Sequence, residues 1–147
     1  NSIKIMKRRP EFTIIAGPNG ASKSRLGIFY STVKAFDGDL LAMLFETNFS
    51  TDLPVNLVQD FKDAGYKISL IFFGLSSKED SLSRVIQRYT MGGHNVNQDV
   101  IEYNFTEGIK RVRASLPLFE NILFIDGTSD FGDIVAIHIE KSLPFWQ

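Results

Sequence analysis

The sequence predicts an α/β fold, a three-layer α/β/α sandwich around a mostly parallel sheet. Three observations carry that expectation. Short β-prone runs alternate with helical patterns along the chain. The run at 68–75, Ile-Ser-Leu-Ile-Phe-Phe-Gly-Leu, is nearly continuously apolar, as a central parallel strand buried on both faces must be. The first apolar run, Phe12-Thr13-Ile14-Ile15-Ala16, ends at Gly17 in a short glycine-bearing loop, and Lys23-Ser24 opens a further apolar stretch.

Taken in order, 12–16 reads as the first strand and about 22–30 as a helix weakened by Gly27. Val33-Lys34-Ala35-Phe36 reads as a short second strand ending in Asp37-Gly38-Asp39. Residues 45–50 read as the end of a third strand. Asp52 is the expected N-cap of the next helix, with Pro54 in its first turn, Leu57, Phe61 and Ala64 on its face, and Gly65 as its stop. Ser76-Ser77-Lys78-Glu79 has the form of a capping box before a helix carrying Leu82, Val85, Ile86 and Tyr89. Gly92-Gly93 breaks it. A further helix from near Asn97 carries Ile101, Phe105, Ile109 and Val112. Residues 122–125 form another buried strand, and 134–139 a last one, antiparallel at an edge. The five residues between Asp39 and Phe45 are too few for a parallel crossover, which needs roughly ten. A different strand assignment, a lost helix or a segment missing from the sequence between 39 and 45 would explain this, and the missing segment is the expected reason.

Composition narrows the function classes. The 147 residues are 44% hydrophobic and 22% charged, which suits a single domain spanning 1–147. A net charge of -1 argues against nucleic acid and anionic membranes as partners. The absence of cysteine excludes disulfides, thiolate catalysis and Cys-ligated metals. His94 and His138 are too few for a multi-histidine metal site. No apolar run reaches membrane-spanning length, and residues 1–9 lead into no signal-like core, so a cytoplasmic location is expected.

Gly17-Pro18-Asn19-Gly20-Ala21-Ser22-Lys23-Ser24 matches the Walker A spacing G-x-x-x-x-G-K-[ST] at every fixed position except Ser22, which replaces a glycine. Successive loop N–H groups and a helix N-terminus make an anion site, and Gly17 and Gly20 allow the backbone to approach phosphate oxygens. Lys23 would reach the β- and γ-phosphates and Ser24 would ligate Mg²⁺. ATP or GTP with Mg²⁺ are the expected cofactors, and the fold narrows to a P-loop NTPase sandwich.

Further chemistry is expected at the C-terminal strand ends, where ligands of open parallel sheets bind. Asp39 stands there as a base for a substrate hydroxyl, and Asp37 is more simply a turn residue. Glu46, Thr47 and Asn48 suit hydroxyls and amides of an acceptor, or else a plain cap. Arg84 and Arg88, four apart on one helix, are either a solvated face or lid arginines over a transferring phosphoryl group. His94 is a weak candidate base. Asp126 is read as a turn or base contact rather than a metal ligand.

These pieces resemble the zeta-toxin-like P-loop kinases, from Ile14 to about Asp126. Residues 16–24 are similar to the family's AGPNGAGKS, and Phe45-Glu46-Thr47-Asn48-Phe49-Ser50 resembles its F-E-T-T-x-S segment. Arg84-Val85 and Arg88 with Gly92-Gly93-His94 resemble RVxxRVxxGGHxVP. The resemblance implies transfer of a γ-phosphoryl group to a hydroxyl of a small substrate, a UDP-amino sugar in characterised members, with Asp39 as base. It also implies an antitoxin-type protein partner. The sequence departs from the family at Ser22, at Asn97 in place of proline, and at Tyr103-Asn104 in place of an arginine pair. Those departures support a rival reading, a nucleotide-binding pseudo-kinase or module with little turnover. A third reading is a nucleotide or nucleoside kinase.

Overall fold

A computed structural model describes residues 9–21, 23, 42–90, 97–128 and 133–139. Its elements are β1 (Glu11–Ala16), β2 (Ala42–Thr47), α1 (Leu53–Asp63), β3 (Lys67–Gly74), α2 (Lys78–Thr90), α3 (Gln98–Ser115), a 3-10 turn (Leu116–Leu118), β4 (Asn121–Asp126) and β5 (Asp133–Ile139). They build one five-stranded sheet in the order β2-β1-β3-β4-β5. β2, β1, β3 and β4 are mutually parallel and β5 is antiparallel to β4. The expected α/β sheet with an antiparallel edge is therefore present.

Alternation along the strands sends side chains to two cores. Phe12, Ile14, Ile68, Leu70 and Ile122 enter the larger one, which α1 covers with Val58 and Phe61. Phe61 stacks on Phe12 with ring centroids 4.0 Å apart and meets the Tyr66 ring edge-on. Ile15, Ile71, Phe73 and Ile125 enter the smaller core, under Ala21 of the loop and Phe105 of α3. Full burial of each such aliphatic or aromatic side chain contributes about 1.5–3 kcal/mol.

Several boundaries move from where the sequence placed them. β2 takes in residues 42–44, so the strand begins three residues before Phe45 and stops at Thr47. The run 42–45 is unbroken strand; residues 39–41, the helix expected at about 22–30 apart from Lys23, and the strand expected at 33–36 lie outside the described residues. Asp52 makes no side-chain cap to α1 and instead pairs with Arg111. Ala64 and Ile86 face solvent rather than the core. Ser77, one residue later than expected, caps α2 by accepting from the Asp80 N–H at 3.0 Å. Asn97 does cap α3, accepting from the Asp99 N–H. α1 closes with Gly65 N–H donating to Lys62 O and Tyr66 N–H to Phe61 O, a Schellman pair.

Candidate phosphate-binding site

The loop at 17–21 leaves β1 at the C-terminal edge of the sheet, between β2 and β3. Its first residue is tied sideways, because Gly17 N–H donates to Thr47 O at 3.3 Å. Gly20 has φ +84°, a left-handed conformation that a side chain would strain. Lys23 is helical and 9% exposed. Its ammonium donates to Gly17 O at 2.5 Å, Pro18 O at 3.0 Å and Asn48 Oδ1 at 2.7 Å. All three of its donors therefore meet acceptors at the rim. Burial pushes the Lys23 pKa down to about 8, with Glu46 opposing that shift and Arg88 adding to it.

Asn19, Gly20, Ala21 and Lys23 line a cavity of about 270 Å³. Glu46, Thr47 and Asn48 line it too, and Arg88 of α2 joins them. The structure thus gathers much of the expected site into one place. Backbone strain marks the β2 side. Phe49 is fully buried at φ +60°, and its N–H donates to Thr47 Oγ1 at 2.9 Å.

Arg84 and Arg88 part company. Arg84 donates to Thr128 O at 2.9 Å and Gly20 O at 3.5 Å, and pairs with Asp80 at 3.4 Å. It clips the loop to the turn after β4, whereas Arg88 reaches the cavity. Asp126 makes the turn expected of it, accepting from the N–H and hydroxyl of Thr128, and these bonds lower its pKa. Arg111 is engaged by Glu107 and Asp52. Ser22, Ser24, Asp37, Asp39, Gly92, Gly93 and His94 lie outside the described residues.

Two residues that hold the loop were given no such role by the sequence. Ser81 Oγ donates to Asn19 O at 2.5 Å. Asn104 Nδ2 donates to Asn19 Oδ1 at 2.8 Å, and Asn104 Oδ1 accepts from Ser50 Oγ at 2.7 Å. A signal for Asn104 existed: it falls on the buried stripe of α3 with Ile101, Gly108 and Val112, where a polar residue needs a partner.

No family model matches the sequence. An uncharacterized protein of Haemophilus influenzae is 24% identical over 85 residues, 58% of this chain, and the match spans 58% of that relative's length. A chain from the PezAT chromosomal toxin-antitoxin system of Streptococcus pneumoniae superposes with a TM-score of 0.65 at 15% identity, over 94% of this chain and 75% of that one. AvrRxo1-ORF1:AvrRxo1-ORF2 crystallised with sulphate ions gives 0.61 at 15%, over 91% of this chain and 60% of the other. The complex with ATP gives 0.60 at 16%, over 90% and 59%. These likenesses show the fold alone: the chain shares the architecture of these three solved structures. Among the described residues no helix is long and apolar enough to cross a membrane.

Proposed function

We propose that the chain binds ATP or GTP in the 17–24 loop and transfers the γ-phosphoryl group to a hydroxyl of a small substrate. The observation that carries this is the convergence of Lys23 and Arg88 on one cavity walled by the glycine-bearing loop. Two cations and a left-handed glycine suit a phosphate chain, and Glu46, Thr47 and Asn48 suit the hydroxyls and amides of an acceptor. A UDP-amino sugar offers such groups on its sugar ring. A bound nucleotide with Mg²⁺ would supply the phosphoryl group and part of its charge neutralisation.

The chain's own residues have separable tasks in this reading. Lys23 exchanges a carbonyl or Asn48 for a phosphate oxygen. Arg88 neutralises charge on the transferring group, Ser24 holds the metal and Asp39 takes the hydroxyl proton. A cytoplasmic setting and an antitoxin-type protein partner belong to the same proposal, in keeping with the toxin-antitoxin fold neighbours.

A second reading, a nucleotide-binding module with little turnover, is favoured by the full engagement of the Lys23 ammonium by protein acceptors. Phosphotransfer assayed with labelled ATP against sugar nucleotides decides between them. The kinase reading expects transfer that Asp39→Asn abolishes while ATP still binds. Binding without transfer in the unaltered protein establishes the module.

A further inference from the structure

Asn104 lies at mid-helix in α3, is 9% exposed and bonds both the loop and the segment after β2 through one amide. Its carbonyl end accepts from Ser50, at the end of the acceptor-side segment, and its NH₂ end donates to the loop's Asn19. In this relay Ser50 Oγ and Asn104 Nδ2 donate, and Asn104 Oδ1 and Asn19 Oδ1 accept. With Oδ1 of Asn19 held by Asn104, the donor end of Asn19 is turned away from α3. Asn19 is also a wall residue of the cavity. α3 can come this close because residue 108 is glycine: a Cβ there would lie 2.4 Å from Asn48 O.

We propose that Asn104 is a positioning residue of the phosphate-binding loop. By fixing the Asn19 amide it presents an N–H donor to the phosphate chain, and through Ser50 it keeps segment 46–50 in register with that loop. The proposal rests on the nucleotide reading above and deepens it.

Two substitutions of similar size separate positioning from packing. Asn104→Leu removes both bonds. Asn104→Asp keeps the acceptor for Ser50 but offers Asn19 an oxygen, so Asn19 must turn its NH₂ towards α3 and its carbonyl towards the phosphates. Calorimetric titration with ATP is expected to show a loss of about tenfold or more for Asn104→Asp, and a smaller loss for Asn104→Leu. Amide hydrogen exchange without nucleotide is expected to quicken at 17–21 in both variants, with β3 and α1 unchanged. Equal losses of ATP affinity in the two variants, or wild-type exchange in the loop, overturn the proposal. If the unaltered protein takes up no ATP while loop exchange still responds, the nucleotide reading fails and the positioning role stands.

Discussion

The sheet face under α1 and the rim above its C-terminal strand ends are held by different forces. The face is Phe12, Phe61, Tyr66, Ile14, Ile68 and Leu70, whose contacts are non-directional and roughly proportional to area. The rim is Lys23, Asn19, Asn48, Asn104, Ser50 and Ser81, joined one donor to one acceptor. A hydrogen bond contributes about 0.5–1.5 kcal/mol net, because water competes for both partners. The rim therefore adds modest stability per contact but strong control of orientation. The face makes the fold, and the rim makes the site.

The contrast can be broken from either side. Phe12→Ala opens a cavity beneath a stacked ring pair and is expected to cost about 3–5 kcal/mol in denaturant unfolding. A loss below about 1 kcal/mol would mean that this face is not the stabilising core. Gly108→Ala strikes where face and rim meet, forcing α3 off Asn48 O. About 1–3 kcal/mol is expected, as for overpacking, together with weaker nucleotide binding. Unchanged values on both counts would show that the close approach is dispensable.

Lys23 sharpens the comparison through pH. Its folded pKa of about 8 lies below the 10.5 of the unfolded chain. Between those values the unfolded chain binds more protons, so stability rises with pH through that window; the burial penalty is present in full below about 8. Binding runs the other way. A phosphate chain raises the lysine pKa again, so nucleotide affinity should fall as pH rises past about 8, with proton uptake on binding. Titrations in buffers of different ionisation enthalpy at pH 8.5 check the uptake. The smallest effect is expected at Asp52. Asp52→Ala removes no helix cap, only a pairing of a largely exposed carboxylate with Arg111, and should shift stability by about 0–1 kcal/mol.

How much of this was legible follows the same division. Periodicity registers burial, so the apolar run at 68–75 and the Ile101 and Val112 stripe located β3 and α3 correctly. The Walker-type spacing and the 45–50 segment singled out residues that line one cavity, because their residue types carry their own chemistry. What escaped depends on neighbours distant in sequence. That Arg84 clips a turn while Arg88 reaches the cavity is set by the turn of α2 and by Thr128, forty-four positions away. Asp52 had the right residue type for a cap, but its carboxylate goes to Arg111, fifty-nine positions on. Asn104 read as a lost arginine and proves to be a buried brace.

Calorimetric titration of ATP into the unaltered protein and into Lys23→Met at pH 7 tests the central claim most directly. The account predicts saturable one-to-one binding that Lys23→Met abolishes, with the variant at least as stable because a buried charge has been removed. Absence of binding to the unaltered protein, or equal binding by both, would contradict it.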